Sequence, residues 1–318
     1  MNEAPTWVTA CIPTFRCTEH VRQAVKSLLN QTHPFLRVIV INDGDSEPPW
    51  ATLSDIADPR LVRFDIYENR GPYFALAVAS EATPDPLFLI QDADDLSSPE
   101  RVATLLRMLR RDGSTYAFSA LTQFYEDAGG VVVSSPLFST PPDTVPSPSF
   151  KYRFSHHGLY KTSAIRQLGG YFGGFRFGYD KFITNLLLLA GSVSWTPQPL
   201  YWLRTRPNSL TRAPDTGLLS ERRRALNAEM SQMFSHAYCD YRAFASGQIS
   251  GRRLLQLIRS RVQERCGLAD RQRIQAHAAK LRQGLRMQSG LGENGVRPSP
   301  INHPAMNNSR LESGVIPP

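Results

Sequence analysis

The stretch from Pro86 to Pro99, PLFLIQDADDLSSP, constrains this chain more than any other. Leu87 to Ile90 are apolar without alternation, the pattern of a β-strand covered on both faces and typical of parallel sheets. Three carboxylates follow at once: Asp92, Asp94 and Asp95. A strand that crosses a core and ends in acid delivers that acid to the carboxyl edge of the sheet, where open α/β sheets take their ligands. Like charges this close raise one another's pKa unless a cation sits among them. A hard divalent ion, held by one or two carboxylates and by phosphate oxygens, meets that need. The competing reading of the same residues is an acidic turn that opens the next helix, with Ser97 and Ser98 ahead of Pro99 and Glu100.

The neighbouring sequence builds a sheet around this strand. Trp7 to Ile12 is a β-rich run ended by Pro13, Leu36 to Ile41 closes on Asn42-Asp43-Gly44-Asp45, and Leu61 to Ile66 is a third run. Thr18 and Glu19 open a helix with apolar residues at Val21, Ala24, Val25, Leu28 and Leu29, a helical spacing. Further helices are expected over Ala51 to Ile56, Tyr73 to Glu81 and Pro99 to Arg111. Strands and helices in alternation predict an α/β fold, a mostly parallel sheet flanked by helices.

Beyond Asp112 the pattern changes. Tyr116 to Tyr125 and Val131 to Ser134 predict a hairpin, followed by a Pro/Ser-rich loop, Pro136 to Ser149, long enough for a lid or an acceptor loop. A helix capped by Asp180 runs to Ala190, and Ser192 to Thr196 and Leu200 to Arg204 read as closing strands. From Leu218 to Met287 the chain reads as helical, with breaks near Ser246-Gly247 and Gly267. The Gly-, Pro-, Asn- and Ser-rich tail from Ser289 predicts disorder. The expected organisation is a domain over 1–212, with a nucleotide-binding half at 6–112 and an acceptor half at 113–212. A helical extension over 213–288 and a disordered tail over 289–318 complete it.

With 318 residues, 41% of them hydrophobic, the chain can bury a real core and is not of the disordered class. Cys11, Cys17, Cys239 and Cys266 show neither C-x-x-C nor zinc spacing, which argues against a disulfide framework and suits a reducing compartment. No basic-then-apolar leader is expected at the start, and the most apolar run, Asn185 to Ala190, is far too short to cross a bilayer. A cytoplasmic, soluble protein is expected, with peripheral membrane contact left open. Of the 36 basic residues five are lysines and 31 arginines, and net charge is +8. Many of the arginines fall between Glu221 and Arg286, a surplus suited to phosphate-bearing substrates, anionic lipid or nucleic acid.

Several spaced segments then agree with one another. IPTFR (Ile12 to Arg16), SLLNQT (Ser27 to Thr32), VIVINDG (Val38 to Gly44), ENRG (Glu68 to Gly71) and QDADD (Gln91 to Asp95) are followed by LGGY, GYDKF and PLYWLRTRPNSLT. In this order they resemble the family-two glycosyltransferases, inverting enzymes of the GT-A fold that use nucleotide-sugar donors. The resemblance covers residues 6 to 212. It implies that Pro13 and Thr14 pack along the nucleoside, that Asp43 accepts a hydrogen bond from uracil, and that Asn69 and Arg70 border the nucleotide. Asp92, Ala93 and Asp94 match the D-x-D motif, whose first acid faces the ribose and whose second binds the metal, Mg2+ or Mn2+. Asp92 and Asp94 are therefore the expected metal residues, with Asp95 capping the next helix or orienting the metal shell. Asp180 matches the general base that takes the acceptor hydroxyl's proton.

The chain departs from that pattern at three points. Tyr179 stands where many relatives have Glu, and Arg206 stands near where relatives often show a histidine, placed to grip the diphosphate. The Q-x-x-R-W motif and membrane helices of processive synthases are missing, so one sugar per encounter is expected. His156, His157, Trp195 and Trp202 are read as structural. The implied partners are a UDP-sugar and an acceptor hydroxyl on a glycan, a lipid-linked sugar or a small natural product, with no nucleic acid. Two other readings remain at this point: a nucleotide-sugar-binding protein that has lost catalysis, and an arginine-rich nucleic-acid module, which no helix-turn-helix or zinc spacing supports.

Overall fold

Two strands buried along their whole length, Val8–Thr14 (β1) and Leu36–Asp43 (β2), form the spine of the molecule. They run parallel, Val8 beside Leu36 and Thr14 beside Asn42. The computed structural model describes residues 5–288, apart from 128–129, 207–208, 211 and 213–214. Leu61–Ile66 (β3) lies parallel to β2 on the outside, and Leu87–Ile90 (β4) lies parallel to β1 on the other flank. The remaining strands are Leu96–Ser97 (β5), Tyr116–Asp127 (β6), Gly130–Leu137 (β7), Gly158–Lys161 (β8) and Val193–Arg204 (β9). They extend one sheet in the order β3-β2-β1-β4-β8-β6-β9-β5, with β7 paired to β6. The first four positions are parallel. The second half is mixed, because β8 enters antiparallel between β4 and β6 while β9 runs parallel to β6.

Alternation along β1 sends its side chains to two separate cores. Val8, Ala10 and Ile12 join the core under Thr18–Leu29 (α1) and Arg101–Asp112 (α3), whereas Cys11 faces the core under Pro72–Ala82 (α2). The second core also takes Thr162–Gln167 (α4), Tyr179–Ala190 (α5) and the three C-terminal helices, Glu221–Ala245 (α6), Gly251–Cys266 (α7) and Leu268–Gln288 (α8). Met230, Phe234, Ile258, Val262, Ala278 and Leu281 are buried there. The helical extension forms an outer layer, α6 and α7 packing on α4 and α5 and α8 packing on α2 and the edge strand β3. No helix among the described residues is long and apolar enough to cross a membrane.

Two local expectations change. The helix expected over Ala51 to Ile56 is a set of turns, with Leu53 N–H on the Pro49 carbonyl at 3.2 Å and the Trp50 indole donating to Asp65. So short a stretch does not repay helix nucleation. The two strands expected at 192–196 and 200–204 are one, β9. Its pairing with β6 jumps from Ser119–Thr196 to Ala120–Pro199, at Pro197 and Pro199, where proline offers no N–H to the ladder. The tail from Ser289 lies outside the described residues.

Candidate active site

The acidic corner begins where β4 ends. Gln91 extends the β1 pairing through its N–H to the Cys11 carbonyl at 3.1 Å, and the chain then turns through Asp92, Ala93, Asp94 and Asp95. Beneath the turn lies Arg101, wholly buried on α3. Its guanidinium donates to Gln91 Oε1 at 2.8 Å, Ser97 Oγ at 2.7 Å and the Ile90 carbonyl at 2.9 Å, and stands 4.5 Å over the Tyr201 ring. Burial lowers its pKa to about 10, so it remains a cation under the acids at neutral pH.

Each carboxylate has its own surroundings. Both oxygens of Asp95 are taken, Oδ2 by the Tyr201 hydroxyl at 2.6 Å and Oδ1 by the Arg204 N–H at 2.7 Å. Asp95 thus fastens the corner to β9 and does not cap α3, which begins after Glu100 with no side-chain cap. Burial, reinforced by Asp94 and Asp92, pushes its carboxyl well above the usual range. Asp94 Oδ2 accepts from Arg206 Nε. Asp92, its side chain 40% exposed, meets His157 Nε2 at 3.0 Å. Burial alone would raise Asp92, but the charge and hydrogen bond of His157, with His156 and Arg206 behind, hold it at about 2.

Asp43 lies at the end of β2, where β-pairing sets Thr14 beside Asn42. Its carboxylate turns into the loop that leads to α2, accepting from Arg70 N–H at 2.9 Å, Gly71 N–H at 2.7 Å and Asn69 Nδ2 at 3.2 Å. Burial outweighs these donors and raises its pKa to about 6. Gly44 follows with φ +75, and a Cβ there would sit 2.2 Å from the Asn69 nitrogen, so only glycine lets the two loops meet. Asn69 Oδ1 accepts from Arg176, and the Arg70 side chain pairs with Glu68 and with Asp270 of α8. Pro13, Thr14 and Ala93 are buried around the same edge.

Asp180 stands in the first turn of α5, whose N-cap is Gly178 in the left-handed region, so it does not cap the helix itself. Adjacent helical residues diverge by about 100°. Tyr179 is therefore fully buried, its hydroxyl on the Gly170 carbonyl at 3.0 Å, while Asp180 is half-buried and accepts from the Tyr73 hydroxyl at 2.7 Å. Burial and then Asp180 push the Tyr73 phenol well above its usual range, so it remains a donor.

Two sets of side chains bring potential ligand atoms within 4.8 Å of one another: Asp92, Asp94 and Asp95, and Asp92, His156 and His157. A donor set of carboxylate oxygens and imidazole nitrogens fits a divalent ion. From sequence His157 is read as structural, and Tyr73, Tyr201 and Arg101 are given no place in the site. Only Arg101 left a local signal, a cation at helical spacing from Leu105 and Leu109 on the apolar face of α3.

An α/β sheet with an acidic corner at the carboxyl end of a parallel strand, continued by a mixed second half, defines the GT-A class. The sequence profile described as Glycosyl transferase family 2 matches residues 9–178, and the chain belongs to that family. Among solved structures it is similar to Staphylococcus aureus TarS 1–349 in complex with UDP-GlcNAc, at 15% identity and TM-score 0.58, over 89% of this chain and 92% of that one. Among curated proteins it is 20% identical to the UDP-Glc:alpha-D-GlcNAc-diphosphoundecaprenol beta-1,3-glucosyltransferase WfaP of Escherichia coli, over 46% of this chain and 56% of that protein. It is 36% identical to the succinoglycan biosynthesis protein ExoU of Rhizobium meliloti, over 32% of this chain and 30% of that protein. The chain thus spans about half or less of the length of these two relatives.

Proposed function

We propose that this chain transfers one sugar at a time from a UDP-sugar to an acceptor hydroxyl with inversion at the anomeric carbon, and that it depends on a divalent metal ion. The observation that carries this reading is the placement of its acids. Asp92 and Asp94 leave the central parallel strand, while Asp180 projects from a different element with its rotamer set by Tyr73. Asp180 takes the proton of the acceptor hydroxyl as that oxygen attacks the anomeric carbon, and the bond from that carbon to the diphosphate oxygen breaks. Asp92 and Asp94 would hold the ion. When bound, the ion neutralises charge growing on the departing diphosphate. Arg206, which pairs with Asp94, grips the same diphosphate in this reading.

On the nucleoside side, Asp43, Asn69, Arg70, Pro13, Thr14 and Ala93 bound the pocket, with Asp43 the acceptor for the uracil N–H. The burial of Tyr179 beside a partly exposed Asp180 supports the catalytic reading over a binding protein that has lost catalysis, since the substitution at 179 does not bury the acid. A cytoplasmic location, with the arginine-bearing helices as a peripheral contact, belongs to the same proposal. A thermal-shift panel of UDP-, GDP- and dTDP-sugars with and without Mn2+, followed by UDP-release assays on the binders, tests it. Stabilisation by a UDP-sugar only with metal is expected, and a panel without any shift rejects the reading.

A further inference from the structure

We infer that the cation site at Asp92 is completed by His157 and His156, two imidazoles that join its carboxylate donors and select a first-row transition ion such as Mn2+ over Mg2+. The inference rests on the proposed reading of this corner as the seat of a metal-bound nucleotide sugar. The three acids differ in what they have left to offer. Asp95 has both oxygens occupied by Tyr201 and Arg204, and Asp94 is held on one oxygen by Arg206. The Asp92 carboxylate instead faces imidazole, at 3.0 Å from His157 Nε2.

The two histidines are built as ligands are. His157 Nδ1 is hydrogen-bonded to Ser155 Oγ at 3.1 Å, and His156 Nδ1 to the Tyr171 hydroxyl at 3.0 Å. An imidazole anchored through one nitrogen is oriented to present the other, the arrangement found around metal-bound histidines. Both side chains are buried, 8% and 7% exposed, with ring centroids 4.0 Å apart. A ring nitrogen of each and an Asp92 oxygen fall within 4.8 Å of one another, close to twice a metal–ligand bond of about 2.1 Å.

The fold holds this arrangement firmly. β8 pairs antiparallel with β4, Leu89 beside Leu159, and that register carries His157 alongside the exit of β4. Gly158 permits the approach, because a Cβ there would lie 2.5 Å from the Ala117 carbonyl and the Tyr116 ring. His157 also stacks on Tyr201 at 4.4 Å, on the ring whose hydroxyl anchors Asp95. Oxygen-only sites suit Mg2+, which keeps its waters, whereas imidazole nitrogen favours later divalent ions. Diphosphate oxygens would complete the shell of an ion held there.

Pulsed electron paramagnetic resonance of the full chain with Mn2+ and UDP reads the ligation directly. Direct nitrogen coupling is expected, and it should change its isotope signature when the protein carries 15N-histidine. Mn2+ affinity, measured with UDP present, should fall by about 10–100-fold or more in His157→Ala and in His156→Ala. A 100-fold excess of Mg2+ should leave the nitrogen coupling in place. The wild-type spectrum decides the matter even where a variant does not fold. Mn2+ bound with UDP but without histidine coupling overturns the inference and leaves the metal-dependent reading standing. No Mn2+ binding, together with UDP release that ignores a chelator, overturns both.

Discussion

The Tyr73 hydroxyl and Asp180 Oδ1 lie 2.7 Å apart although 107 positions separate them, and their hydrogen bond ties the first turn of α2 to the first turn of α5. On the proposed assignment of Asp180 as the general base, that contact leaves Oδ2 as the oxygen for the acceptor. Asp180→Asn should keep UDP binding by calorimetry and lose about 10²–10⁴-fold in transfer rate, the usual worth of a general base. Tyr73→Phe should lower kcat about tenfold with donor KM unchanged, as expected when a base is misoriented but still present. Transfer by Asp180→Asn at the wild-type rate would mean that the base lies elsewhere.

Asp94 presents a separable test. Asp94→Ala removes a partner of Arg206 but no strand or core contact, so its melting temperature should stay within a few degrees of the parent. UDP release stimulated by Mn2+ should disappear in the same variant. Full stimulation would remove Asp94 from the metal assignment.

The raised pKa of Asp43, about 6 against an ordinary 3.8, has a definite sign. Between those values the folded protein holds a proton that the unfolded chain has released, so stability falls as pH rises from about 4 to about 6 and levels off above. Two pKa units correspond to about 3 kcal/mol at most. Urea titrations at pH 4.5 and 7 should show a smaller loss in Asp43→Asn than in the parent. The same variant should bind UDP more weakly, and an unchanged UDP affinity would separate Asp43 from the base contact.

Arg101 is the cation that the acidic corner rests on. Arg101→Met keeps the length of the side chain and removes the donors to Gln91, Ser97 and the Ile90 carbonyl. Leaving buried acceptors unmatched should cost about 3 kcal/mol, read as a lower urea midpoint with unchanged slope. UDP affinity in the presence of Mn2+ should fall with it, because Gln91 and Ser97 flank the acids. A variant as stable as the parent would show that the acids do not depend on that charge.

Much of the frame was legible in local pattern. The β-rich runs of β1 and β2, the continuous apolar run of β4, the helical spacing of α1 and the breaks between α6, α7 and α8 each follow from what a single segment must hide. The acidic corner followed too, since a buried strand carries whatever comes next to the edge of the sheet. Partnerships were different. His157 reaches Asp92 through the register of β8 on β4, 65 positions away, and Arg70 meets Asp270 of α8, 200 positions on. The turning of Asp43 toward the Arg70 and Gly71 amides, the Tyr73 contact and the Arg101 cation beneath the acids are likewise products of packing between distant elements. Periodicity records which face of a segment is buried and carries no term for the segment that buries it. Strand register and helix docking supply that term, so the sequence alone determined the sheet and its acidic edge, and only the tertiary structure decided what each acid touches.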